Sequence, residues 1–281
     1  MSATAVKTAR AHPPDPLPIR RFTPRIGSSV VALGIGAVAW EVIGQLWGVR
    51  FLPPLSAVLV RLVELTQDGL ILQSLASSLR NLAIGFGISL VVGIGVGLLM
   101  GAYRKVEMAL DWWVYALDTA PTLVFAPIFF AIFGLGPEPI IAIIIMYGIF
   151  TIIVNTVTAI HTVPGSLVEM GRSYCATDRQ LFWKIILPAA TPLIMAGVRI
   201  AMGKAVKGMI NGEMFIAAVG LGAVVMNAGR RFDSAALLAV LIVTIMVAMV
   251  TIKLVQIVDE RLTGWLPATQ RARRVRGGSG A

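Results

Sequence analysis

A polar segment interrupts the apolar chain at residues 164–188, which read PGSLVEMGRSYCATDRQLFWKIILP. Ser166 followed by Glu169 has the S-x-x-E spacing of a capping box, in which two side chains satisfy the free amides of a helix start. Thr177 followed by Gln180 repeats this spacing. Two helix starts within so short a segment predict two successive helices.

The turn between these helices is expected near Cys175 and Ala176, just before the second start. Apolar residues recur at helical spacing in the second helix, which predicts that one of its faces is apolar. These residues are Leu181, Phe182, Ile185 and Ile186. The segment therefore predicts a compact, charged helix pair with an elbow in the middle.

The composition predicts an all-α integral membrane protein. The chain has 281 residues, of which 57% are hydrophobic and 14% charged, and its mean hydropathy is +0.84. A helix needs roughly 20 apolar residues to cross the hydrocarbon core of a membrane. Residues 164–188 would then project into water, where a folded helix pair indicates a surface for a partner, and we call them the docking segment. Transmembrane helices are predicted at about 27–49, 79–101, 108–134, 138–160, 189–212 and 234–258.

One membrane domain is expected between two polar tails. Residues 1–25 are predicted to form a disordered tail, residues 26–260 the membrane domain and residues 261–281 a basic tail. The first apolar segment exceeds the roughly 7–15 residues of a signal-peptide core, which favours an uncleaved helix over a cleaved signal. The single cysteine, Cys175, excludes a disulfide within the chain.

The net charge of +10 is explained by membrane topology. With a cytoplasmic N-terminus, the two tails and the docking segment hold most of the Lys and Arg residues outside the spans, which is the positive-inside pattern. Both termini and the docking segment are therefore predicted to be cytoplasmic, where the basic tails meet anionic lipid headgroups rather than nucleic acid. The opposite side holds only Arg50, Arg61, Arg80, Arg230 and Arg231.

Glycine and proline mark two of the predicted spans. Gly93, Gly97 and Gly101 form a repeated small-xxx-small pattern, which lets another helix approach closely, either in generic packing or at a dimer seam. Pro121 and Pro127 predict a kink or a break in the third span. Backbone freed by a break is tolerated where it lines a cavity or is buried, so these prolines indicate either a pathway wall or a simple kink.

No residue set in the sequence supports catalysis, so the chain is predicted not to be an enzyme and to need no metal or cofactor. His12 and His161 lie in a tail and at a helix end, without an H-E-x-x-H motif or cysteine ligands. A G-x-S-x-G elbow is absent. Residues 202–205 read Met-Gly-Lys-Ala and lack the Ser or Thr that follows the lysine of a P-loop. If ATP drives this protein, another subunit must hydrolyse it.

Three polar residues of the fifth span, and the glutamate at its end, are candidates for function. Lys204, Lys207 and Asn211 are three and four residues apart, which places them on one face of a helix, and Glu213 follows. A charge at membrane depth costs roughly 2.5–3.5 kcal/mol, so such groups face protein or water. The two lysines either form a positive lining for anionic cargo, or they have a structural effect only, by pairing with an acid such as Glu213 or by snorkelling.

These features resemble those of a known family. Over roughly residues 36–260, the chain is similar to the permease subunits of bacterial ABC importers, in the branch associated with sulfonate, taurine and nitrate uptake. The docking segment resembles the cytoplasmic coupling motif of that family, an E-A-A sequence followed by a glycine and later by leucine-proline. Glu169 matches the acid, Leu187 and Pro188 match the end, and Gly197 follows in the next helix.

The motif departs from the family pattern at three positions. Met170 and Gly171 stand in place of its two alanines, and Cys175 stands in place of its glycine. Glycine suits a left-handed elbow, which cysteine adopts less easily. The residues that the resemblance implies in coupling to an ATPase are Glu169, Met170, Gly171, Arg172, Tyr174, Cys175, Ala176 and Thr177.

The resemblance implies the fold of a type I ABC importer permease in a bacterial inner membrane. It also implies two identical permease subunits, a pair of ATP-binding subunits that grip the docking segment, and an extracytoplasmic solute-binding protein. Closure of the ATPase pair would move the docking segments and switch access between the two sides. The expected cargo is a small organic or inorganic anion. The residues expected along its pathway are Pro121, Pro127, Lys204, Lys207, Asn211 and Glu213.

A secondary transporter or a channel is the alternative, since neither needs an ATPase. Such transporters often consist of repeated halves with interrupted helices at matching positions. The first three and the last three predicted spans show no convincing match of this kind. A secondary transporter would also leave the docking segment unexplained, so the sequence favours a subunit of an ATP-driven importer.

Overall fold

The computed structural model of the protein shows a helical architecture. Within the residues that it describes, every regular element is a helix. The predicted tail at residues 1–25, and the C-terminal tail beyond residue 264, lie outside the described residues. The described residues are 26–47, 52–216 and 219–264, with only the backbone described at 26–30 and 47.

The α-helices of the described residues are α1 (Ile26–Trp47), α2 (Leu55–Gln67), α3 (Leu70–Ala102), α4 (Arg104–Thr119), α5 (Ala126–Phe133), α6 (Pro137–His161), α7 (Gly165–Ser173), α8 (Asp178–Leu181), α9 (Leu187–Ile216), α10 (Gly220–Arg230) and α11 (Ser234–Leu262). A turn of 3-10 helix at Thr122–Phe125 joins α4 to α5. A π-helical turn at Phe182–Ile186 joins α8 to α9, so that Asp178–Ile216 is one continuous helical stretch.

Four of these stretches are long and apolar enough to cross a membrane: α3, α6, Asp178–Ile216 and α11. Helix α4 and residues 122–133 make a fifth if the bent pair counts as one broken span. The predicted first span, 27–49, corresponds to α1, whose described side chains, Val31–Leu46, form an apolar helix. By length and composition, the described residues thus supply four or five of the six expected spans, and α1 lies at the position of the first.

The third predicted span is broken. Helix α4 ends at Thr119, and Thr122–Phe133 departs at an angle of 94°. Ala120 has extended backbone angles (φ −62°, ψ 142°), the conformation that the following Pro121 favours. Pro127 lies in the first turn of α5, where a missing N–H costs no hydrogen bond. The break is therefore at Pro121 and not at Pro127.

Helix α6 packs extensively against both α3 and α9. Gly97 of α3 lies so close to α6 that a Cβ there would be 2.6 Å from the Cβ of Thr156. One turn earlier, Gly93 faces Ile152, and Gly101 continues the row one turn later. The constant register means that α3 and α6 run parallel. The close helix approach predicted from the glycine pattern is confirmed, and it occurs within one subunit.

Trp40 and Glu41 form hydrogen bonds with the residues that follow α1 in the chain. Trp40 Nε1 donates a hydrogen bond to the Pro53 carbonyl at 3.1 Å. The Glu41 carboxylate accepts hydrogen bonds from the backbone N–H of Ser56 at 2.9 Å and from its hydroxyl at 2.8 Å. Because Ser56 lies in the first turn of α2, Glu41 caps this helix from a neighbouring one.

Two ion pairs tie α11 to other helices, one near each of its ends. Arg199 of α9 contacts Asp259 at 2.5 Å. Arg61 of α2 contacts Asp233 at 3.0 Å, and Asp233 also caps the first turn of α11. The hydrogen bond to Glu64, together with the charge of Asp233, raises the pKa of Arg61 above its usual value.

Candidate functional site

The docking segment begins with α7, which starts at Gly165. Pro164 is the N-cap residue, no side chain caps the helix, and the Pro164 carbonyl accepts a hydrogen bond from the Leu167 N–H at 3.0 Å. The predicted capping box of Ser166 and Glu169 is therefore wrong. Ser166 lies inside the first turn, so its hydroxyl is not at the N-cap position from which it could reach the Glu169 amide.

The predicted elbow at Cys175 and Ala176 is confirmed. The Ala176 N–H donates to the Gly171 carbonyl at 3.1 Å, and the Cys175 N–H donates to the Arg172 carbonyl at 2.9 Å. These two bonds form a Schellman motif, which satisfies the last carbonyls of α7. Cys175 occupies the left-handed position of this motif, with a φ of 55°. Glycine would adopt that conformation without a Cβ penalty.

The second predicted helix start is also confirmed. The Thr177 N–H donates to Gln180 Oε1 at 3.0 Å, and the Gln180 N–H donates to the Thr177 hydroxyl oxygen at 3.4 Å. This capping box begins α8, which continues through the π-helical turn into α9. The elbow is thus joined without interruption to a stretch long enough to span the membrane.

Gly171 lies where the two arms of the elbow touch. It is buried, and a Cβ at this position would be 2.7 Å from Leu181 Cδ1 and 2.5 Å from Ile185 Cδ1. Leu181 and Ile185 belong to the apolar face that their spacing predicted for the second helix. A glycine therefore lets α7 lie directly on that face, which holds the two arms at a fixed angle.

Most of the other residues predicted to couple to an ATPase face outward. Tyr174 is 83% exposed. The Glu169 carboxylate forms no ion pair or hydrogen bond with any described residue. Ala176 is half-buried. The exposed members are Glu169, Met170, Arg172, Tyr174, Cys175 and Thr177. Apart from Thr177, whose hydroxyl caps α8, the side chains of these exposed residues form no ion pair or hydrogen bond with any described residue, which is a property of a docking surface.

A second polar cluster forms around Lys204, where three helices meet. Lys204 Nζ donates to Asp118 Oδ1 at 3.1 Å and to the Thr151 hydroxyl oxygen at 2.7 Å. The Thr151 hydroxyl donates to the same Asp118 oxygen at 2.7 Å. The Lys204 and Asp118 side chains are 38% and 25% exposed, so the ion pair is not sealed in the core. The acid that pairs with Lys204 is therefore Asp118 of α4, and not Glu213.

Further polar side chains extend this cluster along α6 and α9. Tyr147 is one turn from Thr151, and its hydroxyl oxygen accepts a hydrogen bond from Asn211 Nδ2 at 3.0 Å. Lys207 is exposed and forms no ion pair or hydrogen bond with any described residue. Of the two lysines, only Lys204 is paired within the described part of the chain. We call the following residues the polar stripe: Asp118, Tyr147, Thr151, Lys204, Lys207 and Asn211.

Glu213 lies apart from the polar stripe and is fully buried. Its Oε2 accepts the Gly222 N–H at 3.0 Å, while the Ser78 hydroxyl oxygen accepts the Leu221 N–H at 3.0 Å. Both N–H groups belong to the first turn of α10, so α9 and α3 cap this helix from outside. Gly220 begins α10 with a φ of 82°, and a Cβ there would overlap with the Glu213 carboxylate. We call this arrangement the α9–α10 junction.

Sequence reasoning missed Asp118, Thr151 and Ser78. Asp118 lies inside the predicted third span, where an acid is costly unless it is paired, and this signal could have identified it. Thr151 and Ser78 gave no comparable signal, because hydroxyl side chains in helices commonly bond to the backbone of their own helix.

The polar stripe can bind and orient a charged solute. It offers two ammonium groups, one carboxylate, two hydroxyls and one amide. Ammonium groups and hydroxyls make charge-assisted hydrogen bonds with anions. Within the described ranges, no three His, Cys, Asp or Glu side chains come together as a metal site requires.

Residues 89–264 match the sequence profile of a protein family. The family is described as "Binding-protein-dependent transport system inner membrane component". This match covers more than half of the chain and includes both the docking segment and the polar stripe. The chain belongs to this family. It is a permease subunit of an ABC importer and a multi-pass protein of the inner membrane.

Relatives of the permease carry names with different cargoes. The nitrate import permease protein NrtB of Synechocystis sp. is 29% identical over 265 residues, which are 89% of this chain and 93% of the relative. The taurine transport system permease protein TauC of Escherichia coli is 29% identical over 252 residues, 88% and 90% of the two chains. The formylaminopyrimidine transport permease protein ThiX of Halalkalibacterium halodurans is 28% identical over 229 residues, 81% and 91%.

A solved structure shares the fold of the permease. A chain of the MetNI methionine ABC transporter in an inward-facing conformation matches with a TM-score of 0.62 and 19% identity, covering 70% of the permease and 98% of that chain. The predicted all-α fold of a type I ABC importer permease is thereby confirmed. Membership of the family also implies that the permease works with ATP-binding subunits and a binding protein.

Proposed function

We propose that the permease forms, with an identical second subunit, the pathway by which a small organic or inorganic anion enters the cell. A pair of ATP-binding subunits grips the docking segment, and an extracytoplasmic solute-binding protein delivers the anion. Both termini and the docking segment lie on the cytoplasmic side, as the distribution of Lys and Arg indicates. Anionic lipid headgroups are the partners of the basic tails. The observation that carries the proposal is the docking segment, an elbow whose exposed charged side chains, Glu169 and Arg172, form no ion pair or hydrogen bond with any described residue.

The construction of the elbow supports a role as a lever. The Schellman motif at Cys175 and the capping box of Thr177 leave few backbone groups without partners, and Gly171 seats α7 on the following helix. Movement of α7 is therefore passed to α9, which carries Lys204. We assign contact with the ATP-binding subunits to Glu169, Met170, Gly171, Arg172, Tyr174, Cys175, Ala176 and Thr177, with Gly171 acting through the angle of the elbow.

Lys207 supports an anionic cargo. An ammonium group in a spanning helix is costly, and Lys207 forms no ion pair or hydrogen bond with any described residue that would offset this cost. An anion in the pathway would offset it. Two of the similar permeases are named for nitrate and taurine, whereas a third is named for a formylaminopyrimidine, so names alone do not decide the cargo. The charge of Lys207 carries this part of the proposal.

The break at Pro121 supports a pathway beside the polar stripe. It turns the chain three residues after Asp118, so the backbone at the break lies near the Lys204 cluster. Glu213 does not belong to the polar stripe, but it holds α10 in place by accepting the Gly222 N–H. We assign the pathway to Pro121, Pro127, Lys204, Lys207, Asn211 and Glu213, the last as a positioning residue.

Uptake into proteoliposomes tests the proposal. The vesicles hold the permease with its ATP-binding subunits and receive the binding protein, with nitrate and methanesulfonate as first probes. We expect uptake to require ATP. We expect Lys207→Met to lower the rate of anion uptake at least about tenfold, because a charge-assisted contact with the solute is lost.

The matched control is Lys253→Met, which removes an exposed lysine of α11 whose ammonium group donates a hydrogen bond to Gln256 Oε1. It should leave uptake unchanged. The amount of ATP-binding subunit that copurifies with each variant reports assembly. Uptake that runs without ATP would replace the importer mechanism by a secondary transporter, and unchanged uptake by Lys207→Met would remove the assigned role of that lysine.

A further inference from the structure

We infer that Asp118 sets the charge of the polar stripe so that the pathway favours solutes with one negative charge over solutes with two. The inference rests on the proposed function, because it states which anions the pathway takes. It starts from the contrast between two lysines on the same face of α9. Lys204 is held by an acid at 3.1 Å, and Lys207 has no such partner among the described residues.

The polar stripe carries a net single positive charge in each subunit. Lys204 and Lys207 are ammonium groups, and Asp118 is a carboxylate. The other acid nearby in the sequence of α9, Glu213, points into the α9–α10 junction, where it accepts the Gly222 N–H. Each subunit therefore presents one positive charge to a solute that no described residue compensates, that of Lys207, while Asp118 compensates the charge of Lys204.

Asp118 occupies the place beside Lys204 that a second anionic group would need. Its Oδ1 accepts hydrogen bonds from both Lys204 Nζ and the Thr151 hydroxyl, at 3.1 and 2.7 Å. A dianion that engaged both lysines would have to displace this carboxylate and leave it unpaired in a partly buried position, which is unfavourable. The remaining carboxylate would also repel the second negative charge. A monoanion at Lys207 leaves the cluster intact.

The experiment compares sulfate, a dianion, with methanesulfonate, a monoanion of similar size. Both are titrated calorimetrically into the purified complex of the permease and its ATP-binding subunits, without binding protein, at constant ionic strength. We expect the wild type to bind methanesulfonate at least about tenfold more tightly than sulfate. Asp118→Asn should shrink that preference about tenfold, because the stripe then carries two positive charges.

A double variant separates charge from structure. Asp118→Asn combined with Lys204→Met removes the ion pair but restores a single positive charge, so the preference should return to the wild-type value. Because it leaves no unpaired charge in the cluster, this variant keeps the test decisive where Asp118→Asn alone fails to assemble. The matched control is Asp111→Asn, which removes an acid of the same helix that does not contact Lys204, and it should keep the wild-type preference.

An unchanged preference in Asp118→Asn, or a double variant that assembles without restoring it, would overturn the inference alone. Binding of neither anion by the wild type, together with unchanged uptake by Lys207→Met, would contradict the proposed function and the inference with it. The two failures are therefore distinguishable. Copurified ATP-binding subunit is measured for every variant, so that a loss of assembly is not read as a loss of binding.

Discussion

The docking segment and the α9–α10 junction are both polar interruptions of an apolar chain, and each contains a glutamate. Glu169 of the docking segment is exposed and has no partner among the described residues, whereas Glu213 of the junction is fully buried and caps α10. Both sites also use a residue in the left-handed conformation, Cys175 in one and Gly220 in the other. A glutamate and a left-handed residue thus occur at both sites, but the glutamate is exposed in the docking segment and buried in the α9–α10 junction.

This difference separates residues that hold the fold from residues that serve other subunits. An unsatisfied N–H inside a membrane protein costs several kcal/mol, so a buried acceptor such as Glu213 is needed for folding. Exposed groups such as Glu169 add little to stability and remain available to a partner. The polar stripe lies between these cases, because Lys204 is paired with Asp118, whereas Lys207 has no such partner among the described residues.

Replacing Glu213 by Leu should be the most damaging single change. The Gly222 N–H would lose its acceptor inside the bundle, and we expect about 3 kcal/mol of lost stability. Little folded permease should then be recovered from membranes. The measurements are the yield after detergent extraction and the Tm of what remains.

The control for this change is Glu213→Gln, which keeps the length of the side chain and an acceptor oxygen. It should lose clearly less stability than Glu213→Leu. A leucine variant with the yield and Tm of the wild type would show that the junction does not hold the fold, and the contrast with the docking segment would disappear.

Replacing Glu169 by Lys should abolish transport without a cost to the fold. The exposed carboxylate has no partner among the described residues, so its loss leaves none of them unsatisfied, but reversal of its charge opposes docking of the ATP-binding subunits. We expect solute-stimulated ATP hydrolysis to fall at least about tenfold with an unchanged Tm, an effect typical of a central interface residue.

A charge reversal at Glu260 is the matched control for Glu169. Glu260 is an exposed acid at the end of α11 that accepts a hydrogen bond from Gln256. Glu260→Lys should keep stimulated ATP hydrolysis near the wild-type rate. Equal losses in both variants would point to a general effect of charge, and a Glu169→Lys variant with full activity would end the docking interpretation.

The features that could be predicted from the sequence depend on short stretches of backbone. The capping box of Thr177 and Gln180 is written in four consecutive residues, and the break at Pro121 follows from its missing N–H and from the restriction on Ala120. The row that includes Gly97 predicts a close helix approach because its members lack side chains. In each case the physical cause lies within one helix or one turn.

The features that could not be predicted depend on which helices meet. The partner of Lys204 comes from α4, which the break at Pro121 brings against α6 and α9, so helical spacing within α9 could not identify Asp118. The failure at Ser166 has a different cause: the N-cap of α7 is Pro164, and the helix begins at Gly165, earlier than the spacing indicated. This difference of two residues in the helix start is enough to remove the Ser166 side chain from the capping position.

A comparison of Lys204→Met with Lys207→Met tests an effect on stability of intermediate size. Loss of Lys204 leaves Asp118 without its cation, so we expect about 1 kcal/mol of lost stability, a modest value because both side chains are partly exposed. Loss of Lys207 breaks no ion pair or hydrogen bond with any described residue and should leave the Tm unchanged. Thermal unfolding in detergent measures both, and a larger loss for Lys207→Met would mean that stability does not follow internal pairing.

The smallest change in stability is expected from Cys175→Gly. This variant should be more stable than the wild type, whereas the other variants lose stability or keep it. Cys175 holds a φ of 55° in the Schellman motif, a conformation that glycine adopts without a Cβ penalty, so the elbow should gain about 0.5–1 kcal/mol. Hydrogen exchange of the Cys175 and Ala176 amides should slow by a few fold. Ser173→Gly is the control, because a glycine inside α7 should speed exchange instead. Faster exchange in Cys175→Gly would mean that contacts of the cysteine side chain outweigh the backbone strain, and that the elbow is built around cysteine rather than in spite of it.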